Sequence, residues 1–188
     1  MTLEQIETPI FTLEQFETFI NTPENAEKMF EFIAGEIVEV PSNPYVSAIS
    51  AQIIFLIKLF LHQNKIKGHV TGEAGGYMVA GERYAPDVAY ISYEKQPQLA
   101  KSGYNPNPPD LAVEVISSDR QDEMDKLVTK VTNYLSVGTV VWVVRPGEKR
   151  VSVHLPGEKV RHYRKDAVIS GMPVLPELSI KVSDIFAD

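Results

Sequence analysis

The sequence predicts an α/β (α+β) fold, a single domain over residues 1–188 with a central mixed β-sheet flanked by helices. Three observations lead there. A strand–helix–strand passage over residues 110–144 has the order of a βαβ unit, which favours a parallel pair at the centre of a sheet. Hairpin signals stand near both ends of the chain, so the sheet is mixed rather than purely parallel. Residues 45–64 carry Val46, Ile49, Ile53, Leu56, Ile57, Phe60 and Leu61 at helical spacing, a wide apolar face that needs a sheet or another layer to cover it.

In chain order, Thr12-Leu13-Glu14-Gln15 has the form of a capping box and opens a short helix through about Ile20. Thr22-Pro23 reads as an N-cap with proline at the first helical position, opening a second short helix through about Lys28. Residues 30–33 and 36–40 are two strands joined by Ala34-Gly35, the glycine supplying the positive φ of a tight turn. Pro41 and Pro44 interrupt the chain before the long helix, and Gly68 ends it. Residues 69–71 and 77–79 are short strands around a glycine-rich stretch, 87–93 and 110–117 are core strands, and the Pro/Asn/Gly-rich segment 96–109 between them is a surface loop. A helix over 122–137 shows an apolar stripe at Met124, Leu127, Val128, Val131, Tyr134 and Leu135 and is capped by Gly138. Thr139 to Val144 is a buried strand. Residues 151–155 and 160–163 form a hairpin over Pro156-Gly157, and 178–186 adds a last strand and helical turn.

The 188 residues are 44% hydrophobic and 23% charged, an ordinary globular composition without internal repeat or low-complexity tract. There is no cysteine, which excludes disulfides, thiolate-bound zinc and iron–sulfur clusters. No basic segment followed by an apolar run opens the chain, and the apolar helix core at 48–61 is too short to span a bilayer, so a cytoplasmic location without membrane association is the default expectation. The net charge of −7 opposes nucleic-acid binding by bulk electrostatics. The charge is uneven, however. Residues 1–40 hold nine Glu and one basic residue, whereas residues 145–165 hold Arg145, Lys149, Arg150, Lys159, Arg161, Arg164 and Lys165 against Glu148 and Glu158. That segment is either a solvated hairpin or a local basic surface.

The informative chemistry is carboxylates in apolar strands. Glu114 stands within Leu111-Ala-Val-Glu-Val-Ile116, and Asp87 opens Pro86-Asp-Val-Ala-Tyr-Ile91. A buried ionised carboxylate costs several kcal/mol, roughly, unless it is paired or holds a cation. Each has an ordinary explanation alone: Pro-Asp is a common turn pair, and Glu114 can be an exposed or salt-bridged strand residue. Together, on adjacent rigid strands, they suit a hard divalent cation, which prefers oxygen ligands and usually keeps several waters. Strand alternation puts Glu114 on one face with Ala112 and Ile116, and Leu111, Val113 and Val115 on the other. Lys126, Lys130 and Tyr134 share one side of the 122–137 helix. Lys130 borders the apolar stripe, able either to snorkel into solvent or to extend toward the sheet.

Taken in order, Pro86-Asp87, Glu114-Val115-Ile116, Lys130-Val-Thr-Asn-Tyr134-Leu-Ser-Val-Gly138 and Val-Val-Trp142-Val-Val resemble the PD-(D/E)xK nuclease superfamily, and within it the branch of restriction endonuclease-like small bacterial proteins. Phe30-Glu31-Phe32-Ile33-Ala34-Gly35-Glu36, Gly72-Glu73-Ala74-Gly75 and Leu175-Pro176-Glu177-Leu178 extend the resemblance over almost the whole chain. The resemblance implies a restriction-endonuclease-like fold and an Mg²⁺- (or Mn²⁺-) dependent phosphodiesterase acting on DNA, with nucleases of this kind often homodimeric. It implies Asp87 and Glu114 as metal ligands, Lys130 as the catalytic lysine (Lys126 being the other candidate), and Glu31 or Glu73 as accessory acids. The chain departs from the superfamily's written motif at Ile116, where the lysine usually stands. It departs from close relatives at Tyr45 and Arg145, where histidine and aspartate are frequent. A catalytically silent protein that uses the same fold to bind or dimerise is the alternative. The Gly72–Gly76 stretch is no phosphate loop, since no Gly-Lys-Ser/Thr follows. His154 and His162 face each other across the predicted hairpin but lack close metal-ligand spacing.

Overall fold

The computed structural model describes residues 10–25, 28–39, 43–116 and 120–186. The capping box forms as expected: the Gln15 amide donates to Thr12 Oγ1 at 3.2 Å and the Thr12 amide to Gln15 Oε1 at 2.7 Å, opening α1 (Leu13–Ile20). The second short helix does not form among the described residues. Thr22 to Asn25 make turns, closed by the Asn25 amide on the Thr22 carbonyl, and Ala26 and Glu27 lie outside the described residues. Hairpin β1 (Phe30–Ile33) and β2 (Glu36–Glu39) turns through Ala34 and Gly35 at φ 50° and 84°, the left-handed pair its two-residue turn demands. Val40 and Pro41 lie outside the described residues.

Helix α2 (Pro44–Gln63) starts on Asn43, whose side chain accepts from the Tyr45 and Val46 amides, with Pro44 in the first turn. At 20 residues it has the length expected over 45–64, and, contrary to the expectation drawn from its 48–61 core, by length and composition alone it meets the requirement for crossing a membrane. Its stripe of Val46, Ile49, Ile53, Ile57 and Leu61 is instead committed to one face of the main sheet. Asn64 ends the helix, and Gly68, expected to do so, opens β3 (Gly68–Gly72).

Then follow β4 (Tyr77–Val79), β5 (Glu82–Tyr84), β6 (Val88–Ser92), β7 (Leu111–Val115), α3 (Gln121–Ser136), β8 (Val140–Arg145), β9 (Arg150–His154), β10 (Arg161–Arg164), β11 (Val168–Ser170), β12 (Ser179–Lys181) and α4 (Val182–Ile185). Strands β5 and β11 are short and were not expected. The segment between β6 and β7 is the loop its composition suggested, with an exposed middle, but it is pinned to the core at Gln96, Asn105 and Pro109. Asn105 is buried, exchanges backbone bonds with Gly76 and Met78, and accepts from Gln96 Nε2 at 2.7 Å. Its polar groups have internal partners, so the segment can fold inward.

The central sheet has the order β10-β9-β8-β7-β6-β3. Only β7 and β8 are parallel, joined by α3 as the expected βαβ unit. A second sheet, β2-β1-β5-β4, and a two-stranded pair, β11-β12, complete the fold. Strand alternation divides the core. Val88, Leu111, Val113, Trp142 and Val144 face α2, while Ala89, Ala112, Val141 and Val143 face α3 and the second sheet through Val131, Tyr134, Tyr77 and Tyr84. The α3 face is the one that carries the acids.

Candidate active site

Strands β6 and β7 pair antiparallel with Val88 opposite Val113 and Ala89 opposite Ala112. Continued by one residue, this register sets Asp87 opposite Glu114, and residues opposite each other in an antiparallel pair share a face. The Val115 amide donates to Asp87 Oδ2 at 2.6 Å, which locks the aspartate to the neighbouring strand. The two acids therefore converge on the α3 side of the sheet. Glu114 is 7% exposed although it bears a carboxylate.

Lys130 enters from α3 and supplies the missing cation. Its Nζ donates to Glu114 Oε2 and to Glu31 Oε1, each at 2.7 Å. Glu31 comes from β1, and its Oε1 also accepts from the Ala85 amide at 2.8 Å, tying β1 to the connection that leads into Asp87. Tyr134, one helical turn after Lys130, donates to Glu114 Oε1 at 3.3 Å. Beneath it, the Tyr84 ring meets Tyr134 edge-on at 5.3 Å, lies 5.7 Å from Lys130 Nζ, and its hydroxyl accepts from Asn133 Nδ2. The cluster is a buried polar network on a floor of aromatic rings.

Lys126 lies at the rim, where it pairs with Glu36 at 2.8 Å and not with the buried acids. Of the two lysines weighed from the sequence, the structure brings Lys130 to Glu114. Glu73 sits in the turn after β3. It shares no hydrogen bond with the cluster, and its negative charge is a minor influence on Asp87. Tyr45 is exposed at the start of α2 and belongs to no part of the site. Tyr84, Asn133 and the hydroxyl of Tyr134 were not singled out from the sequence. The available signal is the position of Tyr134 at i+4 from Lys130, on the same side of the helix as well as in its apolar stripe.

The electrostatics follow from burial. Desolvation pushes Asp87 up to about 6, against the opposing pull of the Val115 amide and the Lys130 ammonium. Desolvation likewise raises Glu114, with Lys130 opposing it and the negative charges of Glu31 and Asp87 adding to it. Burial alone would lower Lys130, but Glu114 and Glu31 outweigh it and hold the ammonium charged well above its ordinary range. Three carboxylates against one ammonium leave surplus negative charge. The cluster must therefore take up a proton, which falls on Glu114 or Asp87, or take up a further cation.

A divalent ion fits that surplus. Asp87 and Glu114 would hold it, with Glu31 within the same network. Among the described residues no set of three or more His, Asp or Glu side chains gathers as a ready cage. A site of that kind suits a hard ion that completes its shell with water and substrate oxygens rather than protein groups. A cavity of about 350 Å³ opens over the cluster, lined by Glu31, Glu114, Ile116, Met124, Lys126 and Lys130 among others.

A mixed sheet whose adjacent strands present two acids to a helix-borne lysine defines a restriction-endonuclease-like protein of the PD-(D/E)xK type. The chain belongs to the family described as Uma2, putative restriction endonuclease, which matches residues 13–183. A crystal structure described as a putative nuclease belonging to DUF820, from Anabaena variabilis ATCC 29413, is similar with a TM-score of 0.77 and 23% identity, over 95% of this chain and 98% of that one. That likeness shows the fold. No curated protein matches the chain.

Proposed function

We propose that this protein is a divalent-metal-dependent endonuclease that hydrolyses phosphodiester bonds in DNA, with Asp87 and Glu114 holding Mg²⁺ or Mn²⁺ and Lys130 as the catalytic lysine. The observation that carries the proposal is the buried Lys130 ammonium at 2.7 Å from Glu114, on the sheet face that Asp87 also occupies. Family membership supports the nuclease class. The choice of DNA and of these ions is part of the proposal, as is a homodimer that would cut both strands.

When bound, a divalent ion would polarise a phosphoryl oxygen and make a bound water more acidic. The chain's own residues do the positioning. Asp87 is fixed by the Val115 amide and Glu114 by Lys130 and Tyr134, so both acids are held in place on the α3 face. Lys130 keeps its charge and donates from the apolar side of the cavity. There an ammonium can orient a water or stabilise the extra negative charge of a phosphoryl transition state. Glu31 restrains the ammonium from its other side.

The decisive test is plasmid cleavage with Mg²⁺ or Mn²⁺ against EDTA, using wild type and Glu114→Ala. Metal-dependent nicking by wild type, lost in the variant while the fold is retained, is the expected result. Equal cleavage by both would remove Glu114 from the mechanism. The alternative, a silent member of the fold that binds a partner, is favoured by one feature: Lys130 bridges both glutamates unaided. Absence of cleavage with either ion would favour it.

A further inference from the structure

A second cluster of polar side chains lies on the other flank of α3. Strand alternation and register place Arg145 opposite Arg150, and Ser152 between Val143 and His162, so that Arg145, Arg150, Ser152, His154 and His162 share the sheet face that carries Glu114. They line a cavity of about 330 Å³ together with Val143 and with Leu127, Val128, Val131 and Thr132 of α3. None of these polar residues touches the acid cluster. We propose that this cavity is a binding subsite for a phosphate group, supplied by a nucleic-acid strand whose scissile bond lies at the acid cluster.

Three observations carry the proposal. The Nε of Arg150 is buried with no hydrogen-bond partner, although its Nη2 donates to Glu148 Oε1 at 3.1 Å. A guanidinium recognises an oxyanion through a fork of adjacent N–H groups, and one tine of this fork is waiting for an acceptor. Second, Ser152 Oγ and His162 Nδ1 form a 2.8 Å hydrogen bond, which fixes the imidazole and leaves its Nε2 for another partner. Third, burial and the nearby His162 both lower His154, so the pocket disfavours its own accumulated positive charge, a strain that an anion relieves.

The donor set is the Arg150 guanidinium, two imidazoles and a hydroxyl, beside Arg145, which has a partner of its own; it suits a tetrahedral oxyanion better than a metal ion, since a guanidinium repels a cation. Among the described residues Glu148 opposes this charge: it accepts from Arg150 and from Arg164 Nη2 at 2.6 Å. The two cavities are joined: Leu127 lines both, and Arg145 Nη2 reaches Sδ of Met124, which lines the first. The proposed source of the phosphate rests on the nuclease proposal. The phosphate chemistry of the pocket does not.

The test uses the full chain in EDTA, where no cleavage occurs, so its outcome is independent of whether the acid cluster is active. Inorganic phosphate is titrated while the His154 and His162 ring resonances are followed by NMR, and a fluorescent DNA oligonucleotide is titrated by anisotropy. The variants are Arg150→Gln and, at an exposed position that spares the fold, His162→Gln. In wild type, phosphate shifts both histidines and saturates. Each variant weakens phosphate binding about tenfold, and Arg150→Gln lowers the salt slope of oligonucleotide binding by about 1, the expectation for one lost phosphate contact. If phosphate binding responds and oligonucleotide binding does not, the subsite stands with free phosphate as its occupant. Unmoved histidines, or affinities within twofold of wild type in both variants, would overturn it.

Discussion

Replacing Lys130 by Met tests the centre of the site most directly. Methionine keeps the length of the side chain and much of its packing but removes the ammonium between Glu31 and Glu114. The two 2.7 Å bonds are then lost together, in a cluster where the lysine and both glutamates are at most 10% exposed at the side chain. Breaking a buried ion pair from one side costs about 3–5 kcal/mol, because the partner charges stay buried without compensation. The loss must depend on pH. With the ammonium gone, Glu114 rises further, and a protonated carboxyl costs far less to bury than an ionised one. The destabilisation is therefore expected at about 3–5 kcal/mol at pH 8 and only about 1–2 kcal/mol at pH 5. Urea unfolding followed by the fluorescence of Trp142, the only tryptophan and 1% exposed, reads both values. A variant within about 1 kcal/mol of wild type at pH 8, well under the cost of an orphaned buried charge, would refute the ion-pair argument. So would an equal loss at both pH values.

Other consequences are nearer the surface of the same argument. Mg²⁺ or Mn²⁺ at a hundredfold excess over its dissociation constant should stabilise wild type by about 2.7 kcal/mol by mass action. Asp87→Asn and Glu114→Gln should abolish that shift in the urea midpoint, and an unshifted wild type would count against metal binding. Asp87 itself is raised from 3.8 to about 6, so its contribution to stability is full below about pH 4 and is lost as pH rises through 6, amounting to about 3 kcal/mol. Asp87→Asn should flatten that portion of the stability profile, and an unchanged profile would show that another group titrates there. Tyr134→Phe removes a 3.3 Å bond to Glu114 and should cost about 1 kcal/mol, with weaker Mn²⁺ binding in a calorimetric titration. Unchanged metal affinity would confine Tyr134 to packing.

Much of this arrangement was legible in the sequence because it rests on periodicity. The two-residue repeat along 111–116 put Glu114 on the face of Ala112 and Ile116, and the core divides along that line, with Leu111, Val113 and Val115 on the α2 side. The strand–helix–strand passage became the parallel β7–β8 pair for the same reason. Longer-range features were less visible. Glu31 could be listed only as a candidate acid, since nothing in Phe30-Glu31-Phe32 says that β1 will join a second sheet facing α3. Strands β5 and β11 are three residues long, too short for a pattern to emerge. The 96–109 segment is the exposed loop its composition suggests, but composition does not show its anchors: Gln96 donates to the buried Asn105, and the Tyr104 hydroxyl donates to the Phe30 carbonyl. Among the described residues after Pro23 only turns form, since so short a segment gains too little to offset the cost of nucleating a helix.

The position of the lysine raises a last question, whether the site depends on where its backbone lies or on where its amine ends. Ile116 stands where the superfamily's written motif has lysine, shares the α3 face with Glu114, and lines the same cavity as Glu31 and Lys130. Its backbone is fixed by its amide on the Val144 carbonyl at 2.9 Å, so a side chain there leaves the sheet in a defined direction. A lysine at 116 has a long flexible stem and a compact ammonium, which can reach a charge from more than one origin. If the electrostatic position of the ammonium is what matters, Ile116→Lys in the Lys130→Met background should recover more than about 1 kcal/mol of the lost stability at pH 8, the least that a hydrogen bond to a charged partner returns. Ile116→Lys alone should gain nothing, because Lys130 already satisfies both glutamates. Recovery in the double variant without regained cleavage would separate the two roles of Lys130. The buried charge would then be a matter of balance alone, while catalysis would need the approach from α3, with Tyr134 beside the amine. No recovery at all would mean that the cluster accepts an ammonium only along the helix, and that the migrated lysine is a constraint of the fold and not an interchangeable solution.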